Sequence, residues 1–217
     1  GVAALERVQA NLSRYRAAVL KSAVEGKLTQ QWREGNPDTE PADKLLKRIL
    51  TERRKNWETQ QLSNYKTKDK NPPKNWKDKY KEPFAPDTTN LPKLPKGWCW
   101  TTMEQLVSRS EYGTSVKCAY HADGAPVLRI PNIAGGLINL TDMKHATKPL
   151  GLDADRSLQC GDLLMCRTNG SIRLVGKTAL VKENLLPLHA FASYLLRFRF
   201  TVPDNILKSM EGQLRAE

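Results

Sequence analysis

The chain has 217 residues, with 35 Lys and Arg against 23 Asp and Glu, and a formal net charge of +12 at neutral pH. That length allows one well-buried domain plus an appendage or two small domains, and the charge excess favours polyanionic partners, nucleic acid above all. No apolar run approaches the ~20 residues that cross a bilayer, and no signal-peptide pattern opens the chain, so the expected setting is the cytoplasm, with no membrane partner.

In chain order, Leu5, Val8, Leu12, Tyr15 and Val19 recur at alternating steps of three and four, the seam of a coiled-coil-type helix. Gly26 is placed to cap its C-terminus. A seam this narrow suits a partner helix, although an ordinary amphipathic helix on its own domain fits the same period. Asn36-Pro37-Asp38 breaks the chain. A second helix is expected from near Thr39, with Pro41 in its first turn and Leu45, Leu46, Ile49, Leu50, Arg53 and Trp57 on one face. From about Ser63 to Pro95, lysines and prolines replace aliphatics, which predicts a basic extended linker. Its aromatics, Tyr65, Trp76 and Tyr80, are expected to dock on something.

A globular region begins at Leu94-Pro95-Lys96-Gly97-Trp98. Short apolar runs broken by Gly, Asn or Pro follow, at 127–130, 137–140, 163–166, 174–181 and 191–200. In the last of them Arg197 and Arg199 alternate with Leu196, Phe198 and Phe200, a strand period. Met103–Val107 and Ile206–Met210 read as short helices. The fold class expected is α+β: a long N-terminal helix, a basic linker with a second helix, then a β-rich α/β domain.

Catalytic chemistry finds little support. Asn71-Pro72-Pro73 is the nearest approach to an amino-methyltransferase loop, but Lys74 stands where the aromatic belongs and no glycine-rich cofactor loop precedes it. Pro86-Asp87 with Asp142-Met143-Lys144 matches a nuclease pattern too loose to carry weight. His121, His145 and His189 are isolated, and no phosphate-binding Gly-x4-Gly-Lys loop is present. Cys99, Cys118, Cys160 and Cys166 form no CxxC, so they read as reduced, mostly buried residues rather than metal ligands. No catalytic residue, metal or cofactor is expected.

Recognition chemistry remains. Arg bridges guanine O6 and N7, Asn bridges adenine N6 and N7, and Ser, Thr and Lys hold phosphates. Arg167, Thr168, Asn169 and Ser171 bring these types to one turn, followed by Arg173 and Lys177. Arg129 and Asn132 offer a second set, and Tyr112, Ser115 and Lys117 a third. For each residue a solvated or turn-forming role is an equal reading, and Asn169-Gly170 is a hairpin turn signal by itself.

Three segments carry a family resemblance. LERVQANLSRYRAAVLKSAVEGKLT resembles the central conserved helix of type I restriction–modification specificity subunits. LPKGWCW resembles the entry to their target recognition domain. EYGTSVKC, PVLRIPNI and GDLLMCRTNGSIRLVGKTAL resemble the body of that domain. The resemblance implies a division into a conserved-region helix (1–34), a helix plus Lys/Pro-rich linker (35–93) and one target recognition domain (94–217) cut short at its end. It implies a subunit without chemistry of its own that binds one half of a split target in double-stranded DNA. Methylation and restriction subunits would be its partners, and would hold the S-adenosylmethionine, ATP and magnesium. The seam from Leu5 to Val19, having lost its intrachain partner, is expected to allow self-association. A sequence-nonspecific basic nucleic-acid binder and a coiled-coil scaffold are the alternatives.

Overall fold

A computed structural model describes residues 2–201. In chain order its elements are α1 (Val2–Val24), a 3-10 turn (Lys27–Thr29), α2 (Gln30–Gly35), α3 (Ala42–Thr67), a second 3-10 turn (Trp76–Lys79), α4 (Met103–Leu106), β1 (Val107–Tyr112), β2 (Cys118–Ala119), β3 (Pro126–Leu128), α5 (Ile130–Ile133), β4 (Lys144–Ala146), β5 (Leu163–Cys166), β6 (Thr178–Leu180), β7 (Ala190–Phe191) and β8 (Leu195–Phe200). The chain is therefore mixed α/β with a long N-terminal helix. The helix expected at Ile206–Met210 lies outside the described residues. Two compact units result among the described residues: one holds 2–50 with Pro83–Gln105, the other holds Thr51–Glu82 with 106–201.

In the first unit α1 is built of good helix formers and has neither Gly nor Pro. It ends where Gly26 turns left-handed at φ 72°, donating its amide to the Ala23 carbonyl at 2.9 Å. A Cβ at Gly26 would lie 2.7 Å from Pro95 Cγ, so packing as well as backbone conformation demands glycine. No residue of α1 is buried, and Leu5, Val8, Leu12, Tyr15 and Val19 are all exposed. The second helix starts later than the sequence suggests. The Thr39 hydroxyl donates back to the Asn36 carbonyl instead of capping, and the Ala42 amide donates to the Gly97 carbonyl at 2.8 Å. The short α4 has a reciprocal cap: the Gln105 amide donates to Thr102 Oγ1, and the Thr102 amide to Gln105 Oε1 at 3.0 Å.

The second unit carries two four-stranded sheets, β1-β8-β5-β6 and β2-β4-β3-β7. The first is antiparallel throughout; in the second, β3 pairs parallel with β7. The main core is aliphatic, with Leu128, Ile133, Leu164, Val181 and Leu195 sealed from solvent beside Phe191. The run at 137–140 forms no strand, only an isolated bridge from Leu137 to Leu180. Cys166 is buried, whereas Cys99, Cys118 and Cys160 are half-buried, all as free thiols.

Strand β8 turns its charged face inward. Arg197 is fully buried while Leu196, Phe198 and Phe200 are half-exposed, the reverse of an ordinary amphipathic strand. Its guanidinium donates to Ser157 O at 2.8 Å and to Glu111 Oε2, and lies 3.8 Å from Asp162 Oδ2. Arg199 donates twice to Asp162, at 2.8 Å each, and Arg109 pairs with Glu111 and Asp155. Burial, with Arg199 alongside, pulls the Arg197 pKa below the ordinary arginine value, while Asp162 and Glu111 act the other way.

The lysine-rich stretch expected as an extended linker from Ser63 is only partly one. Helix α3 runs on to Thr67, and the turn at Trp76–Lys79 folds back onto it. Trp76 stacks on Trp57 with centroids 5.9 Å apart, and Tyr80 packs tilted on the same ring at 5.2 Å. Apolar ring surface overrides the extended preference of the flanking prolines.

Arg197→Ala leaves Asp162 buried with one fewer cation, and is expected to cost about 3–5 kcal/mol in urea unfolding. A second expectation concerns pH. Burial holds the His189 ring below its ordinary value of 6.5, so on acidification the unfolded chain takes up a proton first. Stability should fall as the pH drops below about 6.5, and the fall should be shallower in His189→Gln, read from urea midpoints across pH.

Candidate nucleic-acid interface

The register of the first sheet brings two exposed candidates together. Tyr112 on β1 pairs with Leu196 on β8, which pairs with Met165 on β5, so the three share one row and one face. Adjacent strands lie about 4.8 Å apart, which puts β5 within an arginine's reach of Tyr112. Arg167, two residues past Met165, points to that same face. Its guanidinium carbon sits 4.7 Å from the centroid of the Tyr112 ring, and its amide donates to Tyr194 O at 3.0 Å. Tyr112 and Arg167 are both exposed. The backbone after Tyr112 is fixed by Gly113, where a Cβ would fall 2.0 Å from Phe191 O. Tyr112 also lines a groove of about 590 Å³ with Arg109, Arg156, Leu152 and Phe191.

The stretch between β5 and β6 is a loop rather than a two-residue hairpin, because β5 ends at Cys166 and β6 starts only at Thr178. Its neck is closed by the Cys166 amide donating to Lys177 O at 2.8 Å and the Gly176 amide donating to Cys166 O at 2.9 Å. Gly176 takes φ 82°, which favours glycine. At the tip Asn169 Oδ1 accepts the Ser171 amide at 2.8 Å, so Asn169 has the turn-forming role that its sequence context allowed. Thr168, Ser171, Arg173 and Lys177 are exposed around it, as is Ile172, 87% accessible.

The second set divides. Asn132 is buried at 1% accessibility: its Nδ2 donates to Asn139 O at 2.8 Å and Asp142 O at 3.0 Å, and its Oδ1 accepts the Arg129 amide at 2.8 Å. Both ends of the amide are engaged internally, which removes Asn132 from any base-reading set. Arg129 is largely buried too, donating to Asp142 O at 2.8 Å and to Asp142 Oδ2 at 3.0 Å. A hydrogen bond from Tyr120, then the nearby Arg129, hold the Asp142 carboxyl below the usual carboxylate range. Of the third set, Ser115 and Lys117 are exposed, and the Lys117 carbonyl accepts the Thr147 amide at 2.9 Å.

Sequence reasoning passed over Tyr120, whose exposed ring lies 4.7 Å from the Lys144 ammonium, and Arg156 in the groove. No local pattern marks either residue; the fold gives each its neighbours. Among the described residues, no group of three His, Cys, Asp or Glu side chains is arranged for a metal, and no helix is long and apolar enough to cross a membrane.

Fold and site thus describe a basic α/β module with a polar, arginine-bearing loop held on an antiparallel sheet. No protein-family model matches the chain. Over 187 residues, 82% of its length, it is 29% identical to the type I restriction enzyme EcoAI specificity subunit of Escherichia coli, covering 28% of that protein. Over 203 residues, 92% of its length, it is 27% identical to the EcoKI specificity subunit of Escherichia coli strain K12, covering 31% of it. The chain is similar to type I specificity subunits across most of its length, as its three motif segments indicate, and spans less than a third of either relative.

Asn132→Ala leaves two carbonyls and the Arg129 amide without their partner, and is expected to cost about 2–3 kcal/mol of stability. Ser171→Ala on the exposed loop should stay within about 0.5 kcal/mol. Urea midpoints of the two variants check the division between structural and surface residues.

Proposed function

We propose that the chain is the central conserved helix and one target recognition domain of a type I specificity subunit, and that it binds one half of a bipartite duplex DNA target. The observation that carries this reading is the similarity to two such subunits over 82% and 92% of the chain. In this reading it performs no chemistry. Methylation subunits dock on it through its helical region, and S-adenosylmethionine, ATP and magnesium belong to the methylation and restriction subunits.

The exposed cations supply the contacts. Arg167 is the base-edge candidate, because its fork is held over Tyr112 without an acidic partner among the described residues. Ser171, Lys117, Arg173 and Lys177 are phosphate candidates, with Thr168, Ser115 and Tyr112 beside them. The exposed seam of α1, from Leu5 to Val19, is a coiled-coil surface for a second helix, and two copies of this chain are able to pair through it.

The test is co-purification with a methylation subunit from the same operon, followed by selection of bound duplexes from a random pool. A stable complex that enriches one sequence supports the reading. Absence of a complex, with steeply salt-dependent binding to every duplex alike, would sink it in favour of a generic basic binder. Within the complex, Arg167→Ala should relax discrimination at one or two positions by about 1–3 kcal/mol, whereas Lys177→Ala should weaken binding to all sequences about equally. Uniform loss from both substitutions would remove Arg167 from base reading.

A further inference from the structure

The segment from Lys66 to Lys81 contains seven lysines and two aspartates, a net of +5 in a chain of net +12. Its fold is tied down at several points. Helix α3 ends in a turn in which the Lys70 amide donates to Tyr65 O at 2.9 Å, with Asp69 left-handed at φ 50°. Trp76 and Tyr80 then clamp on Trp57. Arg53 donates to the Tyr80 hydroxyl at 2.8 Å and, through its Nε, to Val107 O at 3.1 Å, joining the segment to the start of β1. Beyond these rings Lys77 pairs with Glu58 at 3.1 Å, and Arg54 with Glu82 at 3.4 Å.

Docking uses only one of the seven lysines. Lys66, Lys68, Lys70, Lys74, Lys79 and Lys81 are exposed and have no acidic partner within ion-pair distance among the described residues. A spacer needs no aromatic clamp, and the clamp needs no more than Lys77. Holding six unpaired ammonium groups on an ordered strap keeps like charges close, which disfavours the folded strap unless a polyanion is bound. The anchor at Val107 and the Tyr112 site are the two ends of β1, roughly 17 Å apart at about 3.3 Å per residue. That is the length of about five base pairs at about 3.4 Å each.

We infer that the clamped lysine strap at residues 66–81 is a phosphate-contacting arm that grips the duplex beside the half-site, adding affinity for any sequence. The inference rests on the DNA-recognition reading above and assigns the strap no part in choosing bases. Counterions released by its ammonium groups supply the binding free energy, so its signature is the salt dependence.

The experiment uses the full chain and a variant with Lys66, Lys68, Lys70, Lys74, Lys79 and Lys81 all changed to Gln. Both are titrated against a random-sequence duplex and against the sequence that the parent enriches, over a salt series. The slope of log affinity against log salt should become shallower by about 3–5 in the variant, at roughly 0.9 for each phosphate no longer neutralised. The enriched sequence should not change, and protection of the flanking backbone should disappear from a hydroxyl-radical footprint. A second variant, Trp76→Ala with Tyr80→Ala, keeps every lysine but releases the clamp, and should lose the flanking protection.

An unchanged slope in the six-fold variant, with the same sequence still enriched, overturns the arm and leaves the DNA-recognition reading intact. A changed sequence preference also overturns it, since the strap would then read bases. Lysine-dependent binding that is tighter to single-stranded RNA or phosphatidylserine vesicles than to duplex overturns it as well. If the parent enriches no sequence but loses duplex binding with the lysines, the arm stands and the specificity-subunit reading fails. No binding of the parent to any duplex at low salt overturns both.

Discussion

The buried Arg197 is the constraint on which the second unit depends. A fully desolvated guanidinium is unfavourable by several kcal/mol unless carboxylates and carbonyls surround it. Here Glu111 comes from β1, Asp162 from the turn before β5, and the Ser157 carbonyl from the segment between the sheets. Shifting β1 against β8 by one residue would turn Glu111 outward and take from Arg197 the carboxylate that accepts from its Nη2. The same register that sets Glu111 opposite Arg197 places Tyr112 at the end of β1 on the opposite, solvent-facing side. The buried ion cluster thereby sets the position of the exposed Tyr112–Arg167 pair.

The cations of this unit have two separate uses. Arg109, Arg197 and Arg199 face inward to carboxylates and carbonyls, and Arg129 is largely engaged with Asp142. These four hold loops to strands, as the planar five-donor fork of arginine suits. Arg167, Arg173 and Lys177 on the loop, and the lysines of the strap, remain in water. The division follows residue type as well as position, because lysine, a strongly hydrated point charge, is costlier to bury. A basic composition therefore overstates the charge free to meet a polyanion, and the strap holds a large part of what is left.

In the first unit, the long helix presents its seam to water along its whole described length. An apolar stripe of this kind gains little from burial until something covers it, because most of the stability of an amphipathic helix comes from packing of its apolar face. A helical partner is the occupant that the reading as a specificity-subunit piece supplies. The chain spans less than a third of either relative's length.

What the sequence by itself determined were the features made by neighbours along the chain. The period of α1, its stop at Gly26, the short helix after Thr102 and the strand at 195–200 are legible because their causes lie within a few residues. The three motif segments were legible for a different reason, since the likeness to specificity subunits is carried by residue order and needs no geometry. Tertiary structure alone decided which face each residue took. An Arg-x-Arg strand reads as charged face to water, and partners distant in sequence reverse it, among them Glu111 and Asp162, 86 and 35 residues from Arg197. Asn132 looked like a reader of bases until the carbonyls of Asn139 and Asp142 closed around it. The lysine tract looked extended until Trp57 offered a ring for Trp76 and Tyr80. In each case the deciding partner is distant in sequence, and the favourable contact exists only once the fold has brought it near. Local periodicity carries no record of that.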